Sequence, residues 1–173
     1  MARALRDLIR GAFVVVPVTV AFSDLVGAPS KVTGRSMQPT LNPDATSAED
    51  GSEFVWNNKM SVRLLGDYDR GDVIVFRSPL DAREKMVKRL IAVEGDWVHP
   101  RGDRYLTHVP QGRCWVEGDN HAVSGDSTHW GPIPMALIEG KVSHVLWPPW
   151  RIGAVPRDLE RCDSAVRRRR DPK

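Results

Sequence analysis

The sequence predicts a mostly β domain that follows one N-terminal transmembrane helix. Three observations lead to this prediction: an apolar segment near the N-terminus, a series of short apolar runs separated by glycine and proline, and a highly charged C-terminal stretch. We therefore expect a membrane anchor at residues 1–29, a β domain at residues 30–155 and a charged, disordered tail at residues 156–173. The net charge of +3 is modest, so no nucleic-acid partner is predicted.

The first element is an apolar segment at residues 8–28, about as long as the ~20 residues that a helix needs to cross a bilayer. Its basic residues, Arg3, Arg6 and Arg10, all lie at its N-terminal side. Such a segment is typical of a cleaved secretory signal, a mitochondrial presequence or an uncleaved anchor. We favour the anchor, in which the arginines stay on the side of the membrane where the chain starts.

The elements that follow are short strands, because short apolar runs alternate with turn residues. A polar stretch at residues 42–53 predicts a loop, and residues 134–139 predict one helical turn. The strand candidates lie at residues 30–35, 54–56, 62–65, 73–76, 85–93, 97–98, 114–116 and 140–147. Many short strands bounded by glycine and proline favour a β domain over a helical one.

The chemistry of the chain is indicated by three separate motifs. Ser36 lies in the sequence GRSMQPT at residues 34–40, and Lys88 lies in VKRLIAVEGD at residues 87–96. A third motif contains GDN at residues 118–120 and is followed by Ser124 and Asp126. A serine hydroxyl becomes a good nucleophile only when a base takes its proton, and a desolvated lysine can be that base.

Lys88 needs a particular environment to act as a base. An exposed lysine has a pKa of about 10.4, and burial among apolar groups lowers that value. The neighbouring Arg89 does not lose its proton in proteins, and Lys85 is expected to be solvated. The residues that supply an apolar setting in the sequence are Val87, Leu90 and Ile91.

Together, in this order, the motifs resemble those of the type I signal peptidases, which are membrane-anchored Ser-Lys proteases, over about residues 10–155. The resemblance implies a signal-peptidase-like β domain and a serine endopeptidase activity. It implies that Ser36 attacks the scissile carbonyl and that Lys88 is the general base. It also implies that Ser124 orients the lysine and that Met37 packs beside the nucleophile.

Two positions differ from the family pattern. The family's aspartate at position 126 usually pairs with an arginine two residues later, where this chain has Thr128. We therefore expect Asp126 to accept hydrogen bonds from backbone N–H groups or from hydroxyls such as Ser127 or Thr128. Bacterial members often carry a serine at the position of Gly34, which assists the oxyanion. The Ser36 N–H remains as one donor, and Thr33 is a candidate for a second.

Within the family, the missing arginine and residues 145–149 look like the mitochondrial inner membrane proteases. Residues 112–120, and residues 131–134 with 137–138, are also similar to the plant forms of these proteases. That resemblance implies removal of sorting or signal sequences from proteins delivered to the mitochondrial intermembrane space. It implies a single-pass inner-membrane protein that pairs with a homologous catalytic subunit and contacts membrane lipid, with no cofactor.

Other functions remain open at this point. The chain is alternatively a signal peptidase of a bacterial, thylakoid or ER membrane, or a structural subunit of a heteromeric protease. Self-cleaving repressors share the Ser-Lys pair but carry a DNA-binding domain, and no helix-turn-helix fits before Ser36. Cys114 and Cys162 are interpreted as free thiols, with a single bridge as the alternative. The five histidines lack the spacing of a metal site.

Overall fold

The computed structural model describes residues 2–47, 49–51, 53–101 and 105–167, and it shows a long helix followed by a mostly β domain. The helices are α1 (Ala2–Leu25), α2 (Lys59–Arg63), α3 (Ser127–Trp130) and α4 (Leu159–Ala165). The strands are β1 (Gly27–Val32), β2 (Glu53–Asn58), β3 (Val73–Arg77), β4 (Lys85–Ala92), β5 (Trp97–Val98), β6 (Thr107–His108), β7 (Arg113–Glu117), β8 (Ile133–Pro134), β9 (Ile138–Trp147), β10 (Gly153–Ala154) and β11 (Val166–Arg167). The predicted mostly β class is confirmed.

Most strands form one large antiparallel sheet in the order β1-β2-β9-β3-β4-β7-β8, with β10 added alongside β9. A smaller sheet has the order β11-β5-β6. Strand β3 lies inside the large sheet and is apolar on both faces. Its residues Val73 and Val75 pack into one core cluster, while Ile74 and Phe76 pack into another. A strand buried on both sides explains the unbroken apolar run in the sequence.

Helix α1 continues through Pro17, and several of its apolar side chains are exposed. The exposed residues include Phe13, Val15, Val16, Val18, Val20 and Phe22. Among the residues that the structure describes, none of the helices combines the length and apolar character that crossing a membrane requires. The transmembrane helix predicted at residues 1–29 is therefore not confirmed.

The strand predicted at residues 62–65 is wrong, because this part of the chain enters helix α2. Asn58 begins the helix: its side-chain oxygen accepts from the Ser61 N–H at 3.1 Å, and its amide donates to the Ser61 hydroxyl at 2.7 Å. Gly66 follows with a positive φ of 59°, a conformation that favours glycine. The cap residue therefore outweighs the β-branched and apolar character of the segment.

The disordered tail predicted from residue 156 is not observed as far as residue 167, because that segment forms α4 and β11. Asp158 caps α4 by accepting from the Arg161 N–H at 3.0 Å. Cys162 is 1% exposed and packs with Val98 and Val166 in a third core cluster. Residues 168–173 lie outside the described part of the chain.

The two cysteines are both buried and free. Cys114 lies on β7, and burial raises the pKa of its thiol to about 12. The interpretation as free thiols is confirmed, and the alternative of a bridge to Cys162 is wrong.

Candidate active site

Ser36 and Lys88 line the same cleft, which has a volume of about 470 Å³. Its walls come from the end of β1 with the loop that follows it, and from the first half of β4. The structure thus brings together the two side chains that the sequence motifs single out, although they are far apart in the chain. An open groove of this kind can admit an extended peptide.

The loop that carries Ser36 is held from both sides. Met37 packs into the core cluster beneath it, as expected from the family pattern. Gln38 stabilises the turn by donating to the carbonyl oxygens of Asn42, Pro43 and Ala45. The Ser36 carbonyl oxygen accepts from the Asn120 N–H at 2.9 Å. These contacts leave the position of the Ser36 main chain well defined.

Gly34 makes the bend between β1 and Ser36. Its φ is 87°, in the region that favours glycine, and its N–H donates to the Asp50 carbonyl oxygen at 2.7 Å. Gly34 therefore has a conformational role, and it offers no hydroxyl to the cleft.

Lys88 lies on β4 opposite Ile74 and is only 3% exposed. Burial lowers the pKa of its ammonium from 10.5 to about 8, even though the carboxylates of Asp126, Glu84 and Asp119 act in the opposite direction. Burial has this effect because an apolar setting disfavours the charged form. A substantial fraction of Lys88 is therefore neutral, and able to accept a proton, slightly above neutral pH.

Gly118 is the point where the Ser36 loop meets the segment that carries Ser124. A Cβ atom at this position would overlap both the Ser124 hydroxyl and the Ser36 carbonyl oxygen. The Ser124 side chain is buried, and within the residues that the structure describes its hydroxyl makes no hydrogen bond of good geometry, although it lies near the Asp126 carboxylate. A buried hydroxyl is costly without a partner, so this group is well suited to bind a proton-carrying side chain in the cleft.

Asp126 is held by hydrogen bonds, as the sequence predicts from the missing arginine. One carboxylate oxygen accepts from the Gly118 N–H at 2.9 Å. The other accepts from the N–H of Thr128 at 3.1 Å and from its hydroxyl at 2.7 Å. Ser127 is not a partner, because its hydroxyl accepts from the Val116 N–H at 3.0 Å.

These contacts decide the charge of Asp126. Burial favours its neutral form, but the nearby Ser124 hydroxyl and the donors of Gly118 and Thr128 outweigh burial. The pKa of Asp126 is consequently below its ordinary value of 3.8. The residue is an anion at any pH at which Lys88 could act as a base.

A buried ion pair between Arg89 and Asp119 supports the same site. The arginine Nη2 lies 2.6 Å from one carboxylate oxygen, its Nε donates to the other at 2.9 Å, and both side chains are 2% exposed. The Thr40 hydroxyl also donates to Asp119, at 2.5 Å. Although burial acts in the opposite direction, these donors keep the pKa of Asp119 below its ordinary value.

Neither residue stands out in the sequence as half of an ion pair. Arg89 is there a rival base to Lys88, and Asp119 is part of GDN without a separate role. The one available signal was that each residue adjoins a motif: Arg89 follows Lys88, and Asp119 lies in GDN. Adjacent residues of a strand point to opposite faces, so Arg89 faces away from the cleft and meets a loop that is distant in the chain.

Asp126→Asn should reduce stability less than Asp126→Ala, because the amide keeps one acceptor oxygen while alanine leaves three donors without it. We expect a loss of about 1 kcal/mol for asparagine and about 3 kcal/mol for alanine, measured by urea unfolding. The asparagine variant also removes an anion that raises the pKa of Lys88, so its pH–rate profile should move to lower pH.

Asp44→Asn is a suitable control, because this aspartate is exposed and should change neither stability nor the pH–rate profile. Equal damage by asparagine and alanine at position 126 would show that the charge of Asp126, and not its hydrogen bonds, holds the loop.

Comparison with known proteins agrees with the geometry. A sequence model of the family described as "Signal peptidase, peptidase S26" matches residues 5–107 and 101–147. The matched ranges include all three motifs and the strands that form the cleft.

Among curated proteins, the chain is similar to the mitochondrial inner membrane protease subunit 2 of Danio rerio, with 42% identity over 151 residues, covering 86% of this chain and 80% of the relative. It is similar to subunit 2 of Homo sapiens, with 42% identity over 150 residues, covering 86% and 83%. Subunit 1 of Mus musculus is 31% identical over 155 residues, covering 83% of this chain and 88% of the relative.

Proposed function

Because the chain belongs to the peptidase S26 family of signal peptidases, and so is a serine-type signal peptidase, we propose that Ser36 and Lys88 are its catalytic pair. One observation carries this proposal: a buried lysine with a pKa of about 8 lines the same cleft as the serine. A serine that only forms a turn would not need a desolvated amine beside it.

In the mechanism that we propose, neutral Lys88 removes the proton of the Ser36 hydroxyl. At the same time the Ser36 oxygen attacks the scissile carbonyl carbon. The Ser36 N–H stabilises the oxyanion, and the Thr33 hydroxyl is a candidate second donor. The Lys88 ammonium then protonates the leaving amine, which leaves an ester on Ser36. Lys88 next removes a proton from water, whose oxygen attacks the ester carbonyl carbon. The Lys88 ammonium then returns that proton to the Ser36 oxygen as the ester C–O bond breaks, which releases the product acid and restores the free serine.

Ser124 and Asp126 support this chemistry in different ways. We propose that the Ser124 hydroxyl hydrogen-bonds the Lys88 amine and orients its lone pair toward Ser36. Asp126 fixes the loop between Gly118 and Thr128, and its negative charge limits how far burial lowers the pKa of Lys88. A fraction of the base is therefore neutral near pH 8, and the base remains strong enough to take a proton.

We also propose where the chain acts. The names of its relatives support the mitochondrial inner membrane, where it would remove sorting sequences from proteins delivered to the intermembrane space. Its similarity to both subunit 1 and subunit 2 proteins supports a heterodimer with a homologous catalytic subunit. The exposed apolar side chains of α1 support a single-pass anchor whose arginines lie in the matrix and whose β domain faces the intermembrane space.

The pH dependence of cleavage tests the assignment of Lys88. The rate of peptide cleavage should rise with pH through a midpoint of about 8 and then level off, because only the neutral amine accepts a proton. The measurement is kcat/KM between pH 6 and pH 10.5, with Ser36→Ala as the background. A midpoint near the ordinary lysine value of 10.5 would contradict the assignment.

The membrane location has a separate test. The intact chain should stay with mitochondrial membranes during carbonate extraction, and added protease should digest the β domain only after the outer membrane is ruptured. Replacing Val15, Val16 and Val18 by serine should release the chain, whereas serine at the exposed Leu64 and Leu65, in the turn that follows α2, should not. Release of the unaltered chain by carbonate would contradict the anchor.

A further inference from the structure

The segment at residues 156–167 lies beyond the residues that match the family, yet it contacts the strand that carries Lys88. The Pro156 carbonyl oxygen accepts from Arg89 at 3.1 Å. Arg157 forms a two-point ion pair with Asp72, at 2.5 and 3.0 Å. The Cys162 thiol is buried and donates to the Leu90 carbonyl oxygen at 3.5 Å. The segment is thus an ordered part of the domain.

Arg161 is the residue of this segment that reaches the site. Its Nη1 lies 2.7 Å from a carboxylate oxygen of Asp119, and its Nη2 donates to the Asp119 carbonyl oxygen at 3.2 Å. One guanidinium therefore holds both the side chain and the main chain of a single loop residue. The planar fork of arginine makes such a two-point contact possible, whereas lysine has one nitrogen.

The position of Asp119 matters for the site, because the residues on either side of it contact Ser36 and Ser124. Asn120 donates to the Ser36 carbonyl oxygen at 2.9 Å. Gly118 packs so closely that a side chain there would overlap both Ser36 and Ser124. A small movement of Asp119 is consequently transmitted to the nucleophile and to the serine that orients the base.

We propose that Arg161 is a positioning residue for peptide-bond hydrolysis, which holds residues 118–120 against the main chain of Ser36. The proposal rests on the proposed catalytic roles of Ser36 and Lys88. Arg161 lies outside the region that matches the family model. It would act through the loop at residues 118–120 and not on the substrate.

The charge of Arg161 has a second effect on the site. The anions that face Lys88 are Asp126, Glu84 and Asp119, and each raises the pKa of the lysine. The guanidinium on Asp119 offsets part of that negative charge. Removing it should raise the pKa of Lys88, so the pH–rate profile should move to higher pH.

Three variants of the full-length protein test the proposal: Arg161→Met, Arg161→Lys and, as the matched control, Arg157→Met. The control breaks the other ion pair of the same segment without touching Asp119. For Arg161→Met we expect kcat to fall about tenfold with KM changed less than about twofold, because a displaced catalytic group slows the chemical step more than substrate binding. Its pH–rate midpoint should also rise.

Arg161→Lys keeps the charge and one of the two contacts. Its midpoint should stay at the wild-type value, and its kcat should fall only about threefold. Arg157→Met should match the wild type in both measurements. The midpoint does not depend on the fraction of folded enzyme, so it separates positioning from a loss of stability.

Two results would overturn the proposal. One is a wild-type kcat and midpoint for Arg161→Met or, if that variant does not fold, a wild-type kcat for Arg161→Lys. The other is an equal effect of Arg157→Met, which would show that the segment acts only by packing. Failure of the proposed catalytic pair is distinguishable, because it would appear as retained cleavage by Ser36→Ala.

Discussion

Replacing Ser36 with alanine should abolish cleavage while the protein stays folded. Loss of the nucleophile in other serine proteases lowers kcat by about 10⁶-fold, and we expect a loss of that order here. The fold should survive, because Ser36 is tied to the Asn120 N–H through its main-chain carbonyl, which alanine retains. The measurement is cleavage of a precursor protein by the purified variant, with thermal unfolding as the test of folding.

Ser47→Ala is the matched control for this experiment. Ser47 is a second serine of the same cleft, and it is exposed. Its loss should leave kcat unchanged if the nucleophile is Ser36. Wild-type cleavage by pure Ser36→Ala, or loss of cleavage by Ser47→Ala, would refute the assignment.

Replacing Lys88 with methionine should also abolish cleavage, but it should make the protein more stable at neutral pH. The pKa of Lys88 is about 8 in the folded protein and 10.5 when unperturbed, and each unit corresponds to about 1.36 kcal/mol. Keeping a buried ammonium thus costs the wild type about 3 kcal/mol, which a methionine of similar size removes.

The pH dependence of this gain has a definite sign. Below about pH 8 the lysine is charged in both the folded and the unfolded protein. The folded protein is then destabilised by the full free-energy cost of burying the ammonium. As pH rises toward 10.5 the folded protein holds a neutral amine, and the cost disappears. Lys88→Met should therefore gain about 3 kcal/mol at pH 7 and progressively less at higher pH, as measured by urea unfolding.

Lys31→Met provides the control, since Lys31 is an exposed lysine of the same cleft. It should change stability by less than about 0.5 kcal/mol, because exposed substitutions away from special contacts have small effects. Equal or lower stability of Lys88→Met at pH 7 would mean that the buried lysine is not destabilising, and the argument for a lowered pKa would fail.

Much of the sheet could be predicted from local sequence. The strands β3, β4 and β9 appear where apolar runs are bounded by turn residues, because a strand inside a sheet must bury most of its side chains. The meeting of Ser36 and Lys88 in one cleft could be predicted from motifs, and the hydrogen bonds of Asp126 from a single missing arginine.

Other features depend on contacts between distant parts of the chain. Helix α4 lies in a stretch whose charges resemble those of a solvated tail, yet the partners of Arg157 and Arg161 are Asp72 and Asp119. No local pattern in residues 156–167 reports those carboxylates. The ion pair of Arg89 with Asp119 could not be predicted for the same reason. Each charged residue alone is compatible with an exposed loop or strand.

The alternation of side chains along β4 also decides what an error in strand pairing would do to the site. Lys88 and Arg89 are adjacent on β4, so their side chains lie on different faces of the sheet. Lys88 pairs with Ile74 of β3, and Arg89 pairs with Val73. A slip of one residue would turn every side chain of the strand to the other face. The slipped strand would place either Arg89 or Val87 where Lys88 lies, depending on the direction of the slip. A guanidinium keeps its proton and a valine has no basic group, so neither could act as the base. An error in pairing therefore yields an inert protein and not a protease of altered specificity.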